Sequence, residues 1–554
     1  MRMIKRIFSL EFLLLPFYTY KLVELFVFKN TNTPTSICIR LILTSFLVPL
    51  VFITIIFLSI YYELIELYLR YKHGNNFYAM LDGCDRIWVV KSPSKNVINV
   101  IYAIVPNDNP NLSSELLQFF VDKYKIIAKT HPRFTSVIKS FLGLQYYHKV
   151  DLDIYACVKY FDEYANTADF YNLTEDYCNK ELPKGDTYLW EFYVGRKLIT
   201  WHDGTEILPL MVRYHHSLGD GVSLVTLMTT HLLQDGVEIM RKKCETYKAI
   251  LTKPKNNTKE SAKSNPGVKI MKLLQKKFYY PTLSAPEKDN LLHGPEISGK
   301  KHMICCWEKP DANYVNKVKK IKNYYKMAFA DVISTSISAA LCEHFSKFSK
   351  ITTPNILTMN PYFLMSPDFD KLVQFNKENI PITKLGNKFA MGFTQMPIDL
   401  DVDNNTIIKS GNNNCLKVED NELLSRLYSV HKINDRLKNA LDFSFCYWQM
   451  RMFAGLPLAV GKMLLLANDA SLSVSNVPGN TTSRLTNGCI LKDTFVFGNN
   501  YGKVGVSITL FTYDEEFRIS LLIDKSLIPE RKDAQLLGDG IFKYIDALAA
   551  TLPS

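Results

Sequence analysis

The chain has 554 residues, of which 47% are hydrophobic and 12% aromatic. That length and apolar content suit two or three folded domains and exclude an intrinsically disordered chain. The formal net charge is +12, and between Leu251 and Tyr280 eight lysines face one acidic residue. These lysines lie among Asn, Ser, Thr and Pro rather than base-stacking aromatics, so we expect a solvated linker and no nucleic-acid partner.

The eleven cysteines are odd in number and include no C-x-x-C pair. Such scattered cysteines are typical of reduced, mostly buried thiols in a domain that faces the cytosol.

A membrane anchor is predicted near the N-terminus. The 22 residues from Leu41 to Tyr62 carry no charge. As a helix they would extend about 33 Å, which is enough to cross a bilayer. The preceding apolar stretch, IFSLEFLLLPFYTY, is interrupted by Glu11 and lacks a small-residue cleavage site. It therefore predicts an interfacial helix or the first arm of a membrane hairpin, not a signal peptide.

Beyond Gly74 the sequence alternates between strand and helix patterns. Strands are predicted for RIWVVKS, NVINVIYAIV, TYLWEFYVG, EILPLMVRYHH, ASLSVSNVP, VGVSITLFTY and FRISLLIDKSL. Helices are predicted for SSELLQFFVDKYKIIAKTHPRF, VSLVTLMTTHLLQ, AFADVISTSISAALCEHFSKF and NELLSRLYSVHKINDRLKNALDF.

These elements divide the chain into four predicted parts. They are a membrane anchor at 1–74 with its transmembrane helix at about 41–62, an N-terminal α/β half at 75–240, a basic linker at 241–300 and a C-terminal α/β half at 301–554.

Three histidines stand four residues before an aspartate: His216, His231 and His431. His231 falls within a predicted apolar helix, where a structural side-chain pair with Asp235 on the same helix face is expected. His431 falls on a charged amphipathic helix and is expected on a solvated face.

His216 instead follows a predicted strand, and the next helix starts only after Asp220 and Gly221. A strand-to-helix turn can present a side chain to a cleft, and an imidazole is a suitable general base near neutral pH. An aspartate after such a turn would fix the loop. A satisfied histidine pair in a turn remains the alternative.

Other catalytic signatures are absent from the sequence. There is no G-x-S-x-G elbow, no H-E-x-x-H or clustered Cys and His, and no phosphate-binding glycine loop. Serine-hydrolase, zinc and nucleotide-binding chemistry are therefore not predicted, and neither is a metal.

The segment HHSLGDG resembles the HHxxxDG motif of the bifunctional wax ester synthase/diacylglycerol acyltransferase family. Further similar segments follow in family order, from residue 78 to residue 554. They are AMLDGCDRIW near Asp82, TYLWEF around Trp190 (family PLW), LGNKFA at 385–390, SVSNVPGN at 473–480 (family SNVPGP), and the closing strands with Tyr513 and Asp524.

The resemblance implies a mixed α/β fold of two chloramphenicol-acetyltransferase-like halves with a tunnel between them. It implies that His216 is the general base, that Asp220 orients the motif loop and that His215 supports the loop or lines the channel. Motif-supporting positions would be Gly221, Asn476, Pro478, Gly479, Asp331 and Trp190.

The implied reaction transfers a long-chain acyl group from acyl-CoA to a fatty alcohol or diacylglycerol and gives wax ester or triacylglycerol. Acyl-CoA is then a co-substrate, and no permanently bound cofactor is expected. Since acyl-CoA is cytosolic, we expect the catalytic part on the cytosolic side of the endoplasmic reticulum or lipid droplet, or of the plasma membrane.

One departure motivates an alternative. The family has an Asn-Asp pair at the start of a helix in the second half, where this chain has Ala330 before Asp331. A membrane-tethered protein that binds lipid or acyl-CoA with lost or altered catalysis is therefore a competing hypothesis. Acylation of a small soluble alcohol or amine is a third.

Overall fold

A computed structural model describes most of the chain. The described residues are 15–26, 33–90, 95–106, 110–182, 188–252, 289–348, 353–363, 368–400, 407–409, 415–417, 422–438, 440–465, 470–479 and 483–553.

The helices, numbered in chain order, span the whole described chain. They are α1 Leu15–Phe26, α2 Pro34–His73, α3 Gly83–Arg86, α4 Leu112–Thr130, α5 Ile154–Cys157, α6 Thr167–Asn179, α7 Gly221–Leu232, α8 Gly236–Thr252, α9 Tyr314–Tyr324, α10 Phe329–Phe348, α11 Phe369–Leu372, α12 Glu422–Lys438, α13 Asp442–Met452, α14 Leu458–Leu465 and α15 Arg531–Ala549.

The strands alternate with these helices. They are β1 Phe77–Met80, β2 Val97–Val105, β3 Ser136–Phe141, β4 Leu144–Lys149, β5 Val158–Tyr160, β6 Trp190–Val194, β7 Ile199–Thr200, β8 Glu206–His215, β9 Lys301–Trp307, β10 Asn355–Phe363, β11 Val373–Phe375, β12 Pro381–Thr383, β13 Phe389–Pro397, β14 Ile407–Lys409, β15 Cys415–Lys417, β16 Leu472–Pro478, β17 Ser483–Arg484, β18 Ile490–Phe497, β19 Val506–Tyr513 and β20 Glu516–Asp524.

Two large mixed sheets form the main body of the protein. One has the strand order β17-β18-β2-β8-β6-β5, with β7 paired to β8, and the other has the order β13-β10-β16-β19-β20-β9. Strands β2 and β20 within them are buried along almost their whole length. A small sheet, β1-β4-β3, lies beside the end of α2.

Strands β17 and β18 come late in the chain but belong to the first sheet. β18 pairs antiparallel with β2, from Ile490 opposite Val105 to Phe497 opposite Asn99. The chain then returns to the second sheet through β19, which runs parallel to β16. Sheet membership therefore does not follow chain order.

The N-terminal helices form a hairpin. α1 packs antiparallel on α2, with Leu15 in one cluster with Ile55 and the Arg40 guanidinium 5.6 Å from the Tyr20 ring centre. α2 begins with Thr33 as its cap and Pro34 in its first turn, and it extends beyond the predicted 41–62. Among the described residues it alone is long and apolar enough to cross a bilayer, and its most apolar window is 11% buried.

Several sequence expectations need correction. The described part of RIWVVKS, residues 86–90, is not a strand, because residues 83–89 form helical turns. Asn96 Nδ2 donates to the carbonyls of Trp88 and Val90. The first half does not end at residue 240, since α8 continues to Thr252. Most of the predicted basic linker, residues 253–288, lies outside the described residues. Ten of the eleven cysteines, all except Cys415, are free thiols.

Candidate active site

The predicted motif lies on a turn between β8 and α7. β8 ends at His215, and a short 3-10 turn covers His216–Leu218. The turn is held at its start, because His215 N donates to Leu189 O at 2.7 Å and His216 N donates to Asn96 O at 2.9 Å. His216 is therefore fixed by backbone hydrogen bonds before its side chain makes any contact.

The His216 imidazole is half-buried and has two close neighbours. Its ring stacks on Trp88 at 3.8 Å between centres and 15° between planes. Its Nδ1 lies 3.0 Å from Asn387 Oδ1. Burial lowers the pKa of His216 to about 3, so the ring is neutral at pH 7 and able to accept a proton.

Behind His216 lies a buried polar network. Asn387 Nδ2 donates to Asp85 Oδ1 at 2.8 Å and to His216 O at 2.8 Å. Asp85 is fully buried and pairs with Arg133 at 2.7 Å, and Arg133 donates to Ser217 O at 2.8 Å. Burial raises the pKa of Asp85, while Arg133 and Asn387 oppose that rise.

Asp220 holds the motif loop through backbone amides. Its Oδ1 accepts from Ser223 N at 2.8 Å and caps α7, and its Oδ2 accepts from Lys388 N at 2.7 Å. Asp220 is buried and does not line the cavity beside His216. The structure thus places it behind the loop, between the two halves.

His216 lines a cavity of about 620 Å³, which we call the base cavity. Four hydroxyl residues form one wall, on the neighbouring parallel strands β16 and β19, and the rest of the lining is mostly apolar. The hydroxyl wall comprises Ser473, Ser475, Ser507 and Thr509, and the apolar lining includes Trp88, Met359, Phe389 and Met391.

A second cavity of about 520 Å³, the apolar cavity, follows the base cavity along α7. Gly221 at the start of α7 lines the first, whereas Val225, Met228 and Leu232 line the second. Tyr102, Ile104 and Phe511 close its other sides. Together the two cavities follow the length of α7, about 16 Å at the usual helical rise.

The other predicted motif residues of the first half lie apart from the cavities, except Gly221. His215 Nδ1 lies 2.7 Å from Ser217 Oγ, so this imidazole is engaged within the turn. Trp190 is fully buried in the N-terminal core, where its Nε1 donates to Phe134 O at 3.0 Å.

The SVSNVPGN segment contributes two serine side chains to the base cavity, and its glycine packs closely on a neighbouring strand. Asn476 and Pro478 are exposed, while Ser473 and Ser475 face the base cavity. Gly479 lies against β19, since a Cβ there would meet Thr512 O at 1.9 Å.

Asp331 does not line the base cavity. Its hydrogen-bond partner is His431, which was expected on a solvated face. His431 Nδ1 is 2.7 Å from its Oδ2, and Asn434 Nδ2 donates to its Oδ1 at 2.8 Å. His431 therefore packs against α10 rather than on a solvated face. Ala330 is exposed.

The expected His231–Asp235 helix pair is also wrong. α7 ends at Leu232, so Asp235 is not on the same helix. His231 is buried, and its ring centre lies 5.3 Å from that of His131.

Sequence reasoning did not single out Trp88, Asp85 or Asn387. The first two lie in the AMLDGCDRIW segment and the third in LGNKFA, so both segments already carried the resemblance. Nothing in their spacing to His216 indicates contact, because they lie 128, 131 and 171 positions away along the chain.

Comparisons with known proteins concern the fold and the C-terminal region of the chain. Residues 385–547 match the model of the WS/DGAT C-terminal domain. No curated protein matches the chain. Among solved structures it is similar to the wax ester synthase/diacylglycerol acyltransferase from Marinobacter aquaeolei VT8, with 12% identity and a TM-score of 0.50, over 85% of this chain and 100% of that one.

It is also similar to a trichothecene 15-O-acetyltransferase from Fusarium sporotrichioides, with 9% identity and a TM-score of 0.50, over 85% and 95% of the two chains. These similarities define the class of fold: a mixed α/β architecture like that of these two acyltransferase structures, as predicted. Within that class, the match of residues 385–547 to the WS/DGAT C-terminal domain agrees with the resemblance to the wax ester synthase/diacylglycerol acyltransferase family that the sequence motifs indicate.

Proposed function

We propose that this protein is a membrane-bound O-acyltransferase that moves a long-chain acyl group from acyl-CoA to a fatty alcohol or diacylglycerol. The observation that carries the proposal is His216, a neutral imidazole on a fixed turn that opens into the base cavity. The products are wax ester or triacylglycerol, together with free CoA.

His216 acts as the general base. Because Nδ1 is engaged with Asn387, Nε2 is the ring nitrogen that takes the proton from the acceptor hydroxyl. The acceptor oxygen then attacks the thioester carbonyl carbon, and a tetrahedral intermediate forms. When the carbon–sulfur bond breaks, the imidazolium returns its proton to the CoA thiolate. No acyl-enzyme intermediate is required.

The cavities suit long apolar substrates. The hydroxyl wall of the base cavity offers hydrogen bonds to the polar reacting groups, and the apolar cavity gives an aliphatic chain a dry path along α7. A small soluble alcohol or amine would leave that second cavity unfilled.

The anchor places the enzyme where its acceptor is dissolved. Exposed side chains along α2 are large and apolar, among them Phe46, Ile53 and Phe57. Fatty alcohols and diacylglycerol partition into bilayers, so α2 holds the catalytic body at its acceptor supply. Acyl-CoA is cytosolic, which favours a cytosolic catalytic part at the endoplasmic reticulum, lipid droplet or plasma membrane.

The competing hypothesis of a lipid-binding protein without catalysis rested on Ala330. That residue is exposed and lies outside the cavity linings, and Asp331 is engaged by His431 and Asn434. The position therefore does not weaken the base cavity.

Labelled acyl-CoA supplied with hexadecanol, diacylglycerol or a short soluble alcohol tests the function in the purified full-length protein. We expect ester from the lipid acceptors, and a fall of about 10²–10⁴-fold in kcat for His216→Gln, since that change removes the base. His344→Gln, outside both cavities, is the matched control. Binding of acyl-CoA without any ester would favour the competing hypothesis.

A further inference from the structure

The side-chain amide of Asn387 has only one orientation that satisfies its neighbours. Its Nδ2 faces two oxygens, Asp85 Oδ1 and His216 O, each at 2.8 Å. A peptide carbonyl is an acceptor, and Asp85 is held as a carboxylate by Arg133 at 2.7 Å. Rotating the amide by 180° would turn its oxygen toward both acceptors, so Oδ1 must point at His216.

That orientation decides where the imidazole proton lies. An amide oxygen only accepts, so the His216 Nδ1 that lies 3.0 Å from it must be the donor. A neutral imidazole with its hydrogen on Nδ1 has its lone pair on Nε2. We infer that Asn387 and Asp85 are positioning residues that hold His216 in the Nδ1–H tautomer with Nε2 ready to accept the substrate proton.

The catalytic role of the tautomer rests on the proposed function, whereas the tautomer itself rests on the hydrogen bonds alone.

Asp85 is also bound on the side away from Asn387, by Arg133. Arg133 binds Asp85 and donates to Ser217 O at 2.8 Å and Leu218 O at 3.2 Å, within the same turn as His216. Arg133 therefore links Asp85 to the motif turn, and Trp88 stacks on one face of the His216 ring.

The positioning pair also links the two halves of the protein. Asp85 lies on α3 of the N-terminal half, and Asn387 lies before β13 of the C-terminal half. Asn387 N also lies 3.3 Å from Asp85 Oδ1. The hydrogen bond from Asn387 to His216 consequently forms only when the two halves are docked, which couples assembly of the base cavity to the orientation of the base.

A reversal of donor and acceptor tests the arrangement. Asn387→Leu removes the amide oxygen that accepts from His216 Nδ1. Asp85→Asn combined with Asn387→Asp instead places a carboxylate beside His216 Nδ1 and an amide at position 85 behind it. The other ionisable groups near His216 are Arg133, His215, Asp220 and Lys388, and none of them is changed. The matched control is Asn179→Leu, because Asn179 also joins the two halves, through both backbone groups of Lys301.

Two readouts are needed. The first is the pH dependence of His216 modification by diethylpyrocarbonate, followed by peptide mass spectrometry, which requires no turnover. The second is kcat and KM for ester synthesis against pH. Thermal melting confirms that each variant is folded.

We expect Asn387→Leu to lower kcat at least 10-fold with little change in KM, while Asn179→Leu keeps kcat within about twofold. In the reversed double variant, a carboxylate beside Nδ1 stabilises the imidazolium. Its modification midpoint and the acid limb of kcat/KM should therefore move upward by about one pH unit or more, and kcat should exceed that of Asn387→Leu.

An unchanged modification profile in the double variant, or a kcat for Asn387→Leu equal to that of the control, would overturn the inference. If the wild-type protein makes no ester at all, the proposed function fails while the modification experiment still decides the tautomer.

Discussion

At the scale of single residues, burial rather than a charged partner sets the chemistry of His216. The ring stacks on Trp88 and meets a neutral amide, so nothing stabilises its protonated form strongly. Desolvation lowers the pKa of His216 to about 3, and the hydrogen bonds with Asn387 and its own backbone offset only part of that effect. A base of this kind remains unprotonated throughout the physiological range.

This predicts an unusual pH dependence. Because the imidazole loses activity only when it is protonated, kcat/KM should stay level from pH 8 down to about pH 5 and fall only at lower pH, toward the lowered pKa of His216. Initial rates in overlapping buffers at fixed ionic strength would measure this, with melting curves at each pH to exclude unfolding. An acid limb near pH 6.5 would contradict the prediction.

At the scale of elements, the short helix α3 connects the site to the anchor side of the protein. Gly83 lies against α13, since a Cβ there would meet Met450 O at 1.8 Å. Arg86, three residues on, donates to Phe453 O, to Ala454 O and to Gly143 O. Close packing of α3 on α13 therefore sets the position of both Asp85 and Trp88 around His216.

Gly83→Ala should accordingly damage both stability and catalysis. The new methyl group forces α3 away from backbone that cannot yield, at a cost of about 1–3 kcal/mol in the free energy of unfolding. Chemical denaturation and kcat would be measured together. Gly461→Ala is the control, because a Cβ at that position would lie 3.8 Å from the Phe453 side chain and should be tolerated. Equal effects of the two changes would refute this role of Gly83.

At the scale of the whole molecule, the β3–β4 hairpin tip lies beside the end of α2. The Tyr61 hydroxyl donates to Leu142 O, and Phe141 stacks on Tyr68 at 5.1 Å between ring centres. The Leu142 side chain is 62% exposed, and Val460 of α14 is also exposed. These apolar side chains extend the surface of α2 and would rest at the membrane interface beside it.

Leu142→Glu should therefore weaken use of acceptors that are dissolved in a bilayer. We expect KM for diacylglycerol in vesicles to rise several-fold, because a buried carboxylate is unfavourable at the interface, while rates with a soluble short-chain alcohol stay unchanged. Leu536→Glu, an equally exposed leucine on α15, is the control. A matching rise in both variants would show a surface-charge effect and not membrane contact.

Local patterns in the sequence were sufficient for much of the architecture. Apolar runs such as β8 and the periodic apolar positions of α4 are visible in the chain order and hold in the structure. The apolar stretch of α2 and the motif turn at His216 were equally local signals.

Contacts between distant segments were decided only by the tertiary structure. The Asp85–Asn387–His216 chain joins residues 302 and 171 positions apart and depends on how two sheets dock. The crossing of β18 into the first sheet and the pairing of His431 with Asp331 have the same origin. The sequence by itself singled out His216 as the candidate base, because periodicity and turn chemistry are local. The packing of both halves decided how that base is oriented, because side-chain direction and burial are properties of the assembled core.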